Sequence, residues 1–165
     1  MSLSSRTTQI IGLAAWLGLC FLAAAVGGLA SANAGSFYSQ LVLMEWAPPA
    51  SVFAPVWTVL YALMAVAAWL VWRIGGFRGA PWPLTLFLVQ LALNALWSWL
   101  FFGWHRGALA FVDVVLLAVL VLATVLAFLR VRPLAGLLLV PYLLWVGFAA
   151  ALNYAIWQLN PQMLG

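Results

Sequence analysis

Charge is what this 165-residue chain has least of. It carries two acidic residues, Glu45 and Asp113, and its six basic residues are all Arg, with no Lys. Charged residues make up 5 % of the chain and hydrophobic residues 68 %. A soluble domain carries about 25 % charged residues, so the composition excludes one. It also excludes a polar surface for reading nucleic acid. One Cys, Cys20, supports neither a disulfide framework nor a metal site. One His, His105, sits beside Arg106 at a junction between apolar runs, where a structural or topological role is expected of it. Ser-His-Asp sets, Cys-His pairs, phosphate loops and paired carboxylates are missing. Two acids are too few for a proton relay. No catalytic residue, cofactor or metal is therefore expected.

What the chain has instead is apolar length and aromatic rings. About 20 consecutive apolar residues cross a bilayer as a helix. Five such runs fall at roughly 9–30, 54–73, 82–104, 107–129 and 134–158. They are continuously apolar, whereas a barrel strand alternates and needs only about 10 residues. The expected fold is an all-α membrane protein, a single five-helix transmembrane domain over 1–165 with a long loop at 31–53. Arg6, an apolar stretch and Ala32-Asn33-Ala34 resemble a secretory signal, but the stretch is longer than the 7–15-residue core of one. It is read as a true span. Short tails and the lack of a targeting segment lead to the expectation of a bacterial source.

Arg6, Arg73, Arg78, Arg130 and Arg132 fall on one side of such a bundle and Arg106 on the other. The positive-inside rule then puts the N-terminus inside, the C-terminus outside and the long loop outside. Small residues recur one turn apart on the first span (Ala14/Gly18, Ala23/Gly27, Ala24/Gly28). Such spacing lets helices approach closely, although Ala and Gly are also simply common in these spans.

Eleven residues are Trp. An excess of Trp, Asn, Gln and Pro in so apolar a chain points to binding of something flat and apolar. The long loop contains Trp46, Pro48 and Pro49. Proline stiffens an extended approach to the membrane, so this segment reads either as a lid or as an ordinary interfacial belt. Pro55 suits the first turn of the second span. Trp57 and Tyr61 are four apart and share a face. Gln90, Asn94, Trp97 and Phe101 follow the same spacing on the third span. Trp145, Ala149, Leu152 and Ile156 do so on the fifth, with Asn153 at the edge. Amides at that depth must find partners. They bond neighbouring helices or point into a ligand cavity, where a few polar groups orient an apolar guest. Asp113, about two turns into the fourth span, is expected to make a buried helix–helix hydrogen bond.

The combination of Trp46-Ala47-Pro48-Pro49, Pro55-Val56-Trp57-Thr58-Val59-Leu60-Tyr61, Gln90-Leu91-Ala92-Leu93-Asn94 with Trp97, and Pro141-Tyr142-Leu143-Leu144-Trp145 with Leu152-Asn153-Tyr154 resembles the tryptophan-rich sensory protein / translocator protein family, also called the peripheral-type benzodiazepine receptors. The resemblance implies a five-helix bundle, often a homodimer, with a pocket beneath the first loop. It implies tetrapyrroles (porphyrin, haem), sterols and isoquinoline or benzodiazepine drugs as ligands rather than cofactors. Trp57, Asn94 and Trp145 would line that pocket, with Tyr61, Trp97, Ala149 and Leu152 nearby. The function it implies is that of a receptor or carrier. Light- or oxygen-dependent porphyrin breakdown and sterol or lipid transport are the alternatives. Two positions depart from the family pattern. Met44-Glu45 replaces the usual Lys-Pro before the loop Trp. Gln158 stands where the proposed sterol motif, begun here by Leu152 and Tyr154, needs a basic residue.

Overall fold

The computed structural model describes residues 5–165; residues 1–4, which the sequence assigns to the same domain, lie outside them. Among the described residues every regular element is helical. Helix α1 (Arg6–Ala30) starts at Ser5, whose hydroxyl accepts the Thr8 N–H at 3.1 Å. This cap satisfies one of the four N–H groups that a helix start leaves orphaned. After α1 come the short α2 (Ala34–Ser39), a 3-10 turn at Ala50–Val52, and α3 (Phe53–Trp72). Pro55 sits in the first turn of α3, where its missing N–H costs nothing.

A one-turn helix, α4 (Gly76–Gly79), leads into α5 (Pro81–Ser98). The reversal into α4 needs the left-handed backbone of Gly76, at φ +62°. A π turn, Trp99–Gly103, extends α5. Helix α6 (Gly107–Val131) returns across the bundle, and α7 (Pro133–Leu138), α8 (Val140–Leu159) and α9 (Pro161–Leu164) complete the chain. Five stretches are long and apolar enough to cross a membrane: Arg6–Ala30, Ala50–Trp72, Pro81–Gly103, Gly107–Val131 and Pro133–Leu159. The chain is an all-α integral membrane protein.

The last stretch differs from the unbroken helix expected at 134–158. It divides at Leu139, whose N–H turns back to the Gly136 carbonyl at 3.1 Å. Pro141 is the cause: it has no N–H to return to Leu137, and its ring crowds that carbonyl. The loop at 31–53 also holds more structure than expected, namely α2 and the 3-10 turn.

Helix α1 packs on α3 and α5, α5 on α6, and α6 on α8, while α3, besides its main contact with α1, also meets α7. The half of the bundle near Arg73 and Arg130 is filled with rings. Phe87 stacks on Phe128 at 5.9 Å, and Trp16 meets Phe87 edge-on at 5.6 Å. The Trp69 indole donates to the Gln9 carbonyl at 3.0 Å, tying α3 to α1 there. At the opposite end α3 and α8 diverge, because they approach each other at few points beyond α7.

A cavity between four helices, and its relatives

That divergence opens a cavity of about 620 Å³. Trp57 and Tyr61 reach it from α3, Asn94 and Trp97 from α5, and Trp145, Ala149 and Leu152 from α8. All seven residues singled out in the sequence as pocket residues thus line one space. The volume lies within the roughly 300–1,000 Å³ of small-molecule sites. The rings interlock across it. Trp57 meets Trp145 edge-on at 6.5 Å, Phe53 meets Trp145 at 6.2 Å, and Trp97 stacks on Phe101 at 5.6 Å. The π turn gives α5 one extra residue at the cavity wall, so that Phe101 and Phe102, at right angles, both face it.

The floor is a chain of hydrogen bonds. The Tyr61 hydroxyl donates to Asn94 Oδ1 at 3.0 Å. Asn94 Nδ2 donates to the Tyr142 hydroxyl at 2.7 Å, which donates to Gln90 Oε1 at 2.6 Å. Three helices are joined by this chain: α3, α5 and α8. Tyr61 and Asn94 line the cavity; Tyr142 and Gln90 stand behind them. Gln90 is therefore a buried link rather than a wall residue, and among the described residues its Nε2 has no partner. Asn153 joins both roles. It lines the cavity, accepts the Trp97 indole N–H at 3.0 Å and donates to the Gly107 carbonyl at 3.1 Å. Both alternatives for the mid-span amides are realised together in Asn94 and Asn153, which bond neighbouring helices and face the cavity.

Asp113 departs from expectation. It is buried on α6, which contributes nothing to the cavity wall, and among the described residues its Oδ2 has no hydrogen-bond partner. The interhelical bond expected of the carboxyl is not made by that oxygen.

The loop residues also need correcting. Trp46, Pro48 and Pro49 do not line the cavity; Ala34, Gly35, Tyr38, Ala50 and Ser51 roof it. Trp46 instead braces Phe148 from outside, at 5.9 Å. The Pro48 carbonyl accepts the Tyr38 hydroxyl at 2.8 Å, and burial raises the Tyr38 phenol above its ordinary range, which keeps it a donor. Two further contacts hold the roof. Phe37 stacks on His105 at 4.1 Å and 11°. Asn160 accepts the Val42 N–H at 2.8 Å through Oδ1 and donates to the Val42 carbonyl at 2.9 Å through Nδ2.

Sequence reasoning missed the contribution of α1. Phe21, Ala24, Gly27 and Gly28 form a wall of the cavity. The signal was present in the small residues one turn apart. Gly27 does approach α5, since a Cβ there would stand 3.1 Å from Ser98 Oγ. Gly18 and Gly28 have open space where a Cβ would be, so Gly28 makes room rather than contact. Asn160 was missed because nothing in its sequence neighbourhood points to residue 42. The two residues of the incomplete sterol motif face different ways. Leu152 lines the cavity, whereas Tyr154 is exposed beside Phe111 at 5.2 Å.

Comparison with known proteins agrees with this architecture. The model of the TspO/MBR family matches residues 16–158. The chain is 43 % identical over 161 residues to the tryptophan-rich protein TspO of Chlorobaculum tepidum, covering 93 % of this chain and 98 % of that protein. It is 43 % identical over 126 residues to the translocator protein of Homo sapiens, covering 75 % of each. It is 40 % identical over 146 residues to the protein CrtK of Rhodobacter capsulatus, covering 86 % of this chain and 88 % of that one. With most of its length matched, the chain belongs to the TspO/MBR family of membrane proteins.

Proposed function

We propose that the protein is a membrane receptor or carrier that takes a flat, largely apolar small molecule, a tetrapyrrole foremost, into the cavity between α1, α3, α5 and α8. The observation that carries this reading is the convergence of Trp57, Asn94 and Trp145 from three helices on one space of about 620 Å³. Large rings supply stacking surface, worth about 0.5–1.5 kcal/mol per pair beyond area burial. Ala149 and Gly28 leave the room that a planar guest needs. Relatives named for translocation and for sensing support a carrier or receptor role over a catalytic one. The Arg asymmetry supports placing the cavity and its roof on the outer side of the membrane.

The test is a titration of purified protein in detergent with a porphyrin, an isoquinoline carboxamide and a sterol, read by tryptophan fluorescence. Saturable quenching by the porphyrin and the amide is expected. Quenching that survives unchanged in Trp57→Ala, Trp145→Ala and Ala149→Phe would place the ligand elsewhere and remove the reading.

A further inference from the structure

The ring-filled half of the bundle is notched on its surface. A groove of about 250 Å³ follows α1 past Gly12, Ala15, Trp16 and Leu19, and Trp72 and Phe77 wall its other side. Residues 12 and 19 are seven apart, so the groove runs along α1 for about 10 Å. Gly12 lets Trp72 close against the α1 backbone, since a Cβ there would collide with the ring. The left-handed turn at Gly76 brings the chain back, and Phe77 stacks on Trp16 at 6.2 Å and 27°. Ala15, Leu19 and Phe77 are exposed, so the groove opens on the bilayer rather than into the bundle. It shares no residue with the cavity between α1, α3, α5 and α8.

The lining is apolar, but the mouth is basic. Arg73 follows Trp72 in the chain, and Arg78 follows Phe77. The Arg73 guanidinium lies over the Trp69 ring at 4.5 Å, a cation–π contact that holds it in place. Trp69 in turn bonds Gln9 on α1, less than one turn from Gly12. Arg73 therefore stands where the groove meets the start of α1. No carboxylate answers the two guanidiniums. The chain's acids are Glu45, in the loop at 31–53, and Asp113, six residues from the cavity end of α6. An apolar furrow ending at two uncompensated cations has the chemistry of a phospholipid seat, and basic pockets between spans bind anionic head groups. A planar guanidinium also matches phosphate geometry. A second copy of the chain in a two-fold contact would set the same cations against each other, whereas a phosphate neutralises them.

We infer that this groove is a site for one anionic phospholipid: an acyl chain lies along α1 against Ala15, Leu19 and Phe77, and the phosphate is held by Arg73 and Arg78. A zwitterionic lipid carries the same phosphate but brings its own cation, so it competes poorly. The inference does not depend on what the larger cavity binds. The lipid fills the notch between α1, α3 and α4, and so should also stabilise the bundle.

The test uses the full chain, delipidated in detergent, with native mass spectrometry as readout. The probes are dioleoyl phosphatidylglycerol and dioleoyl phosphatidylcholine. One phosphatidylglycerol should be retained, about tenfold more tightly than phosphatidylcholine. Arg73→Gln and Arg78→Gln should each cut that preference about threefold, and together abolish it. Arg130→Gln and Arg132→Gln, at the same end but on α6, should leave it unchanged. Ala15→Trp, at an exposed position, fills the groove and should expel the lipid although both cations remain, with the melting temperature in detergent reporting that the fold is kept. Dihexanoyl phosphatidylglycerol tests the groove without a substitution. It keeps the head group, loses most of the chain, and should bind about tenfold more weakly than the dioleoyl lipid. Equal retention of the two dioleoyl lipids would overturn the inference. So would a preference that the α6 variants reduce as much as the groove variants, which would mean general attraction to a basic surface. A short-chain lipid held as tightly as the long one would remove the groove from the site. If Ala15→Trp splits a dimer and leaves the lipid bound, the groove seats a second copy and the inference falls.

Discussion

At the scale of single residues, the side chains divide by whether their polar atoms are satisfied. Asn94 is satisfied from both sides of its amide, bonded to Tyr61 on one and Tyr142 on the other. Asn94→Ala should therefore lower both ligand affinity and the melting temperature in detergent. Interhelical bonds in membranes average about 0.6 kcal/mol, and two are lost with both hydroxyls left behind. Tyr61→Phe loses one bond and keeps the ring, so it should cost about half as much. Equal losses in the two variants would mean that the floor does not act through Asn94. Asp113 is the contrary case. A buried oxygen without a partner costs roughly 1–3 kcal/mol, so Asp113→Leu, close in size and apolar, should hold or raise the melting temperature. A fall of several degrees would reveal a partner for the carboxyl and restore the interhelical bond expected from sequence.

At the scale of elements, the spans and the loop differ in how they are held. Spans follow from apolar length, and their positions were legible to within a few residues because hydrocarbon thickness fixes them. The break at Leu139 was not read, although Pro141 announces it. The pocket faces of α3, α5 and α8 were legible because rings and amides at helical spacing are conspicuous in an apolar helix. The wall given by α1 was not, because an empty place is signalled only by Gly28 and Ala24, and small residues serve close packing equally well. For Trp46, Pro48 and Pro49 the choice between lid and interfacial belt stayed open in the sequence, because proline-rich rigidity says that a segment is stiff without saying which side of it faces in. Asn160 is the main tie of that roof, with bonds to both polar groups of Val42. Asn160→Ala should loosen residues 31–53, seen as faster hydrogen exchange there. Ligand on- and off-rates should rise together while Kd moves less. Unchanged exchange would leave the Phe37–His105 stack as the sufficient tie. Gly28→Phe should close the cavity from α1 without unfolding the bundle, since nothing stands within 4 Å of a Cβ there. Retained porphyrin affinity in that variant would deny α1 a part in the site.

At the scale of the whole molecule, one half of the bundle is solid but for a groove of about 250 Å³ beside Trp16 and Trp72, the other is hollow, and the charges follow the same division. Arg73, Arg78 and Arg130 lie at the ring-filled end, with Arg6 and Arg132, and only Arg106 lies at the cavity end. Positive charge is retained on the inner side of a membrane during insertion, so the solid end should face inward and the hollow end outward. The lone Cys20 is fully buried and so does not interfere with cysteine labelling. Single cysteines at Ser36, in α2, and at Arg78, in α4, then report the two ends. A membrane-impermeant maleimide applied to intact cells, through a permeabilised outer envelope where one exists, should label Ser36→Cys and spare Arg78→Cys until the membrane is opened. The reverse pattern would turn the cavity mouth inward. A ligand would then have to be captured from the inner compartment, and the arginines would have to be explained as something other than topology signals.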